Sequence, residues 1–218
     1  MDFPFIQIEN IGTLKNLFGW DNALNSHQNI SLLGEKFLIH TLQNNGFAFD
    51  FTIAKQDKGK PYFKNNPFLH FSISNTQNHI AIVLHSSQVG IDIEYLRLGK
   101  SELAQKKFHP CEATYLNALE NKTFGEYISQ NSETNSSIPQ NIRTLFAKEQ
   151  IFDIAFTQLW TIKESYVKMT GTGIANNFST IDLTPPTFAI NQNYTQNNHK
   201  IISTFDAKSN LFVTITIK

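Results

Sequence analysis

The chain has little cysteine and no excess of charge of either sign, and each shortage excludes a class of protein. Cys111 is the single cysteine among 218 residues, so no disulfide can form within the chain and a reducing compartment is expected. Lysine plus arginine number 18, as do aspartate plus glutamate, which leaves no basic field for nucleic acid. No apolar run approaches the roughly 20 residues that span a bilayer, and no signal peptide is visible. We therefore expect a cytoplasmic protein with no nucleic-acid and no membrane partner.

Phenylalanine is abundant, at 19 residues, and hydrophobic residues make up 40% of the chain, which is enough for a substantial core. The mixture of helical and alternating patterns predicts an α+β protein of two lobes, with 1–100 as the N-terminal lobe and 101–218 as the C-terminal lobe. The patterns predict strands at 3–8, 47–53, 71–74, 79–85, 89–94, 178–183, 200–205 and 211–217, helices at 31–42, 110–116 and from about 143 or 147 to 169, and a surface loop at 121–140.

Two carboxylates share one face of the strand predicted at 89–94. Side chains alternate along a strand, so Asp92 and Glu94 point the same way, separated by a rise of about 6.6 Å. Carboxylates at that separation can lean toward one cation. A half-exposed strand with an acidic outer face explains the same pattern.

A third carboxylate and a lysine share one face of the predicted long helix. Glu164 and Lys168 are four residues apart, which suits either an exposed ion pair worth about 0.3–0.5 kcal/mol or a metal ligand beside a phosphate-facing charge. Mg²⁺ takes oxygen ligands and keeps waters and substrate phosphates in its shell, so two or three carboxylates are enough to hold it.

Two polar segments complete the candidate site. Lys58-Gly59-Lys60-Pro61 is either a solvated turn or a phosphate contact in which glycine permits close backbone approach. The segment from Ser72 to Thr76 is either turn chemistry or a set of hydroxyl and amide donors for a phosphate oxygen.

Taken in order, four segments resemble the motifs of the 4′-phosphopantetheinyl transferases, most closely the longer, two-lobed class that activates surfactin-type synthetases. The segments are Gly59-Lys60-Pro61, Phe71-Ser72-Ile73-Ser74-Asn75-Thr76, Gly90-Ile91-Asp92-Ile93-Glu94, and the helix from Leu159 to Gly173. The resemblance implies a Mg²⁺-dependent enzyme that transfers phosphopantetheine from coenzyme A to a serine of an apo acyl or peptidyl carrier protein. It also implies two lobes related by a pseudo-two-fold axis, each an antiparallel sheet with helices, a ligand cleft between the lobes, and a monomer.

The resemblance also implies the role of individual residues. Asn75 stands where this class usually carries a phosphate-binding histidine. The implied Mg²⁺ ligands are Asp92, Glu94 and Glu164, the implied catalytic residues are Glu112, Glu164 and Lys168, and the implied coenzyme A contacts are Lys58, Gly59, Lys60, Pro61, Ser74, Asn75 and Lys168.

Two other functions fit the same residues. A non-catalytic relative would bind coenzyme A or a carrier protein without turnover, and a metal-dependent phosphohydrolase would use the same carboxylates. The segment with Met169, Thr172, Ile174 and Phe178 fits a carrier-docking surface, although Ile174 and Phe178 fit the core equally well.

Overall fold

The computed structural model describes residues 4–20, 27–99, 101–131, 138–173 and 178–218. Its elements confirm a mixed α+β architecture with antiparallel sheets. In chain order they are β1 (Phe5–Asn10), α1 (Ile11–Leu17), α2 (His27–Asn44), β2 (Ile53–Lys55), β3 (Pro61–Phe63), β4 (His70–Asn75), β5 (His79–His85), β6 (Val89–Glu94), α3 (Ser101–Lys107), α4 (Pro110–Asn117), α5 (Phe124–Gln130), α6 (Gln140–Phe146), α7 (Ile151–Thr170), β7 (Gln192–Gln196), β8 (His199–Asp206) and β9 (Leu211–Ile217).

The chain divides into two compact units. The first contains Met1–Ile93, Glu164–Thr172 and Ile215–Lys218, and the second contains Glu94–Lys163 and Gly173–Thr214. The predicted lobes 1–100 and 101–218, their pseudo-two-fold relation and the cleft between them stay predictions.

The first unit is built around a three-stranded antiparallel sheet with the strand order β1-β5-β4. The apolar side chains of α2 recur at helical spacing, so they form one face of the helix, and this face packs on the sheet. The buried cluster contains Leu33, Phe37, Leu38 and Leu42 from α2, with Ile80, Ile82 and Leu84 from β5.

The second unit has an aromatic core along the first turns of α7. The rings of Phe108 and Phe156 lie 5.4 Å apart between centroids, and Trp160 lies 5.1 Å from Phe178. A four-stranded sheet has the order β6-β9-β8-β7, and its strands β7 and β8, which belong to this unit, pair antiparallel. In the ranges that the structure describes, no helix is long and apolar enough to cross a membrane.

The predicted strand at 47–53 is wrong, since only Ile53–Lys55 is extended and paired. Thr52 donates backbone and hydroxyl hydrogen bonds to the carboxylate of Asp50, at 2.8 and 2.6 Å, and this local turn competes with strand pairing. The alternating phenylalanines instead pack half-buried on the core, where Phe49 lies 5.3 Å from Phe63 between ring centroids.

The loop predicted at 121–140 is also wrong in part, because it contains α5. Thr123 and Glu126 form a reciprocal capping box, in which each side chain accepts a hydrogen bond from the other residue's backbone N–H. Residues 132–137 lie outside the described ranges.

Two further corrections concern the C-terminal half. The predicted long helix is two helices, α6 and α7, and the second ends at Thr170, where Gly171 takes a φ of +70° as expected for a closing glycine. The predicted strand at 178–183 is irregular, since Asp182 accepts a hydrogen bond from the backbone N–H of Thr184.

Candidate active site

Gly90 lets β6 approach the last turns of α7 more closely than any other residue would. A Cβ placed on Gly90 would lie 1.9 Å from the backbone oxygen of Ser165 and 2.5 Å from the backbone nitrogen of Met169. Because backbone atoms cannot yield as a flexible side chain does, the position requires glycine. The close approach brings the residues that follow Gly90 on β6 alongside Lys168.

Asp92 is the centre of a buried polar cluster. Its side chain is 7% exposed, and its Oδ1 accepts hydrogen bonds from the Ser74 hydroxyl at 2.8 Å and the Lys168 ammonium at 2.7 Å. Its second oxygen, Oδ2, is buried and has no hydrogen-bond partner in the part of the chain that the structure describes. A buried carboxylate oxygen without a partner is unfavourable, so its presence calls for a cation or a donor from outside the protein.

Ser74 connects three elements at this point. Its hydroxyl oxygen accepts from the Lys168 ammonium at 2.8 Å and from the backbone N–H of Ile93 at 3.3 Å, while the hydroxyl donates to Asp92. The Lys168 ammonium is held by two partners, Ser74 and Asp92. Its side chain is 30% exposed, so the residue still reaches solvent. The structure therefore brings together three of the predicted site residues, one from β4, one from β6 and one from α7.

Glu164 lies one helical turn before Lys168 and is 9% exposed. Glu94 ends β6, and its Oε1 accepts from the Arg97 guanidinium at 3.3 Å. Arg97 in turn lies over the Trp160 ring, 4.7 Å from the centroid. Arg97 escaped the sequence analysis, although its spacing of three residues from Glu94 could have indicated it.

The turn at Lys58–Pro61 packs against the end of α7. Lys60 donates through its ammonium to the carbonyl oxygen of Met169, and burial lowers the pKa of Lys60 to about 8. Gly59 takes a φ of +87°, which glycine adopts without strain. Lys58 is exposed, Pro61 begins β3, and Asn75 is exposed at the end of β4. Two of the motifs found in the sequence therefore meet at the C-terminal end of α7.

Glu112 and Lys163 form a fully buried ion pair in the second unit. The Lys163 ammonium donates to Glu112 Oε1 at 2.9 Å, and the two side chains are 2% and 0% exposed. Glu112 also accepts from the backbone N–H groups of Leu183, at 2.7 Å, and His109, at 2.9 Å, while Lys163 donates to the carbonyl of Ile181. Burial raises the pKa of Glu112 and lowers that of Lys163, and the attraction between the two opposes both shifts.

The carrier-docking interpretation of Met169 and Phe178 is wrong, because the two side chains are 1% and 5% exposed. Both belong to the interior, which was the alternative interpretation for Phe178 but not for Met169. Ile174 lies outside the described residues.

One further grouping emerges among titratable side chains. Within the described ranges, ligand atoms of His109, Cys111 and Asp182 all lie within 4.8 Å of one another. The predicted metal ligands Asp92, Glu94 and Glu164 do not form such a group there.

The comparisons with known proteins agree with the motifs and the fold. Residues 88–212, more than half of the chain, match the model of the 4′-phosphopantetheinyl transferase superfamily. The chain belongs to this family, which confirms the resemblance found in the sequence.

Individual relatives carry the same description. The chain is 27% identical over 148 residues to a 4′-phosphopantetheinyl transferase of Bacillus subtilis, covering 66% of this chain and 53% of the relative. It is 31% identical over 150 residues to the 4′-phosphopantetheinyl transferase gsp of Aneurinibacillus migulanus, covering 66% and 49%. It is 32% identical over 148 residues to the L-aminoadipate-semialdehyde dehydrogenase-phosphopantetheinyl transferase of Saccharomyces cerevisiae, covering 62% and 44%. The chain thus spans about half the length of the curated relatives it matches.

Proposed function

We propose that this protein transfers the 4′-phosphopantetheine group of coenzyme A to a serine hydroxyl of an apo acyl or peptidyl carrier protein. The serine oxygen forms a bond to the β-phosphorus of the pyrophosphate, and its proton passes to a carboxylate of the site or to water. The phosphoanhydride bond breaks, and adenosine 3′,5′-bisphosphate leaves. Membership of the family supports the proposal, and the arrangement around Asp92 gives it a physical basis.

The observation that carries the proposal is the unpartnered Oδ2 of Asp92. One oxygen of this carboxylate accepts hydrogen bonds from the charged Lys168 and from Ser74, and the other is buried without a hydrogen-bond partner among the described residues. This donor fits a hard cation such as Mg²⁺, which prefers carboxylate oxygens. We propose that Asp92, Glu94 and Glu164 hold the ion. When bound there, Mg²⁺ would neutralise charge on the pyrophosphate of coenzyme A.

The side chains of the chain itself have separate tasks in this proposal. Lys168 keeps a positive charge beside Asp92, where it lowers the cost of negative charge on the transferred phosphoryl group. Ser74 fixes the positions of Lys168 and Asp92 through its hydroxyl. Positioning and charge neutralisation dominate phosphoryl transfer, so groups fixed in this way account for much of the expected rate.

We assign the coenzyme A contacts to the segments at the end of α7. Lys60 supplies a partly buried positive charge there, which binds phosphate more strongly than an exposed lysine would. Lys58 and Gly59 belong to the same turn, Pro61 starts the strand that follows, and Asn75 offers an uncharged amide next to Ser74.

We assign Glu112 a positioning role. Three donors already occupy its carboxylate, from Lys163, Leu183 and His109. These hydrogen bonds hold the carboxylate in place within the second unit, where it is fully buried. Through its ion pair it fixes Lys163, the residue that immediately precedes Glu164 on α7.

The test is intact-protein mass spectrometry of apo carrier proteins incubated with this protein, coenzyme A and Mg²⁺. We expect a mass gain of one phosphopantetheine on fatty-acid or peptidyl carriers, and no gain when EDTA is present. Coenzyme A binding without transfer would identify a non-catalytic relative. Hydrolysis of coenzyme A in the absence of any carrier would identify a phosphohydrolase.

We further propose that the protein works as a monomer in the cytoplasm. The single cysteine, Cys111, fits a reducing compartment. A sedimentation measurement at the concentrations of the transfer assay would test the monomer.

A further inference from the structure

We propose that His109, Cys111 and Asp182 form a binding site for a borderline-soft transition metal ion, with Zn²⁺ as the best match. This inference is independent of the proposed transfer reaction, and none of the three residues belongs to the proposed Mg²⁺ or coenzyme A site.

The first support is the geometry of the three ligand atoms. A ring nitrogen of His109, the sulfur of Cys111 and a carboxylate oxygen of Asp182 all lie within 4.8 Å of one another. Tetrahedral Zn²⁺ with bonds of about 2.0–2.3 Å separates its ligand atoms by about 3.3–3.6 Å. Side-chain rotations that move the ligand atoms by roughly an ångström would therefore bring the cluster to the spacing of a coordination sphere.

The second support is the chemistry of the donor set. One nitrogen, one sulfur and one oxygen ligand suit Zn²⁺, whereas Mg²⁺ and Ca²⁺ prefer oxygen ligands alone. Three protein ligands leave a fourth position for water, as in zinc sites that are open to solvent. Cys111 is exposed and both of its partners are half-buried, so an ion can enter from solvent.

The third support is that local hydrogen bonds hold two of the three side chains in place. The Asp182 carboxylate accepts hydrogen bonds from the backbone N–H and the hydroxyl of Thr184. His109 Nδ1 accepts a hydrogen bond from the Cys111 backbone at 3.3 Å, which fixes the ring at the start of α4.

The position of the cluster gives the site a structural consequence. His109 precedes α4, and Asp182 lies in the segment that also contributes Ile181 and Leu183. Both of these segments hold the buried Glu112–Lys163 pair through backbone hydrogen bonds. A metal ion that joins His109 and Cys111 to Asp182 would tie the two segments together and stabilise the second unit.

A thiolate-specific signal provides the sharpest test. Cys111 is the single cysteine of the chain, so thiolate-to-metal charge-transfer absorption with Co²⁺ can come from no other residue. We expect this absorption in the near ultraviolet at one Co²⁺ per chain, and its displacement by Zn²⁺. Excess Mg²⁺ occupies the proposed site at Asp92 and should leave the signal unchanged.

Thermal unfolding gives a second measurement. At Zn²⁺ concentrations about a hundredfold above Kd, we expect Tm to rise by roughly 5–10 °C. Cys111→Ser, which alters an exposed side chain, should fold normally, keep its transferase activity, lose the Co²⁺ absorption and weaken Zn²⁺ binding at least about tenfold. The matched control, Ser129→Ala on α5, should behave as the unmodified protein.

Three results would overturn the proposal. These are no charge-transfer absorption at saturating Co²⁺, a Zn²⁺-induced rise in Tm that survives in Cys111→Ser, or a stoichiometry of one ion per two chains, which would indicate bridging between exposed cysteines. None of them bears on the transfer reaction, since the titrations use neither coenzyme A nor a carrier protein.

Discussion

The buried pair of Glu112 and Lys163 supports a quantitative prediction about stability. Replacing Lys163 by methionine keeps an unbranched side chain but removes the ammonium, which leaves a carboxylate of 0% exposure with two backbone donors. Removing one member of a buried ion pair typically costs about 3–5 kcal/mol, because the remaining charge stays buried and uncompensated. Against a total stability of about 5–15 kcal/mol, this is a large fraction.

The companion changes make the prediction specific to the pair. Glu112→Gln removes the negative charge beside the buried Lys163 ammonium and leaves it two uncharged acceptors, the glutamine oxygen and the Ile181 carbonyl, so we expect a cost of the same order. Glu112→Gln combined with Lys163→Met removes both charges, and the glutamine oxygen can still accept from the Leu183 backbone. The double variant should therefore be more stable than the sum of the single effects implies, by at least about 2 kcal/mol.

Urea unfolding followed by circular dichroism and by tryptophan fluorescence measures the four free energies of unfolding. Two probes are needed because a chain of two compact units can unfold in more than one step. Single losses below about 1 kcal/mol, or effects that add within about 0.5 kcal/mol, would refute the account of a tightly coupled buried pair.

The same variants separate positioning from proton transfer at Glu112. If Glu112 acts by compensating and positioning Lys163, Glu112→Gln is slow because the buried ammonium is left uncompensated. The double variant removes that ammonium, so it should recover part of the transfer activity that Glu112→Gln loses. A general base would leave both variants equally slow, typically by about 10²–10⁴-fold, even where each is folded.

Three further outcomes follow from the site. The pKa of about 8 at Lys60 predicts that kcat/KM for coenzyme A falls as the pH rises through about 8. Lys60→Arg stays charged, so its kcat/KM should not fall in this range. The same pH dependence in both proteins would contradict the assignment of Lys60 as a coenzyme A contact. The pKa of Lys60 in the folded state lies below its ordinary value of 10.5, so the folded state releases this proton at a lower pH than the unfolded state does. The free energy of unfolding should therefore rise between about pH 8 and 10.5 in the unmodified protein, and this rise should be absent in Lys60→Gln. Gly90→Ala should destabilise the first unit by more than about 3 kcal/mol, since its Cβ would lie 1.9 Å from the Ser165 oxygen. Gly46→Ala should cost less in thermal unfolding, because its Cβ would meet nothing within 4 Å and the change brings only the strain of a φ of +76°.

The parts of the site that periodicity alone determines could be predicted from the sequence. The strand Val89–Glu94 was predicted with the bounds that it has, and the helical spacing of Glu164 and Lys168 is that of α7. Both predictions need only the side-chain repeat of one element. The family motifs were recognised for the same reason, since each lies within a short continuous segment.

Contacts between distant segments had no such signal. That Ser74 would link Asp92 to Lys168 depends on the packing of three elements. The contact between Lys163 and Glu112 joins residues 51 positions apart, and no local pattern indicates it. The strand predicted at 47–53 failed because a local hydrogen bond at Asp50 competed with the alternating pattern.

The most direct measurement of the central claim is the initial rate of phosphopantetheine transfer by Asp92→Asn, followed by intact mass of the carrier protein. The change removes one charge and keeps the shape, and Glu102→Gln, at an exposed carboxylate in the first turn of α3, is the matched control. We predict that Asp92→Asn remains folded and slows transfer at least about a hundredfold, while Glu102→Gln transfers at the original rate. Transfer at an undiminished rate by folded Asp92→Asn would contradict the account.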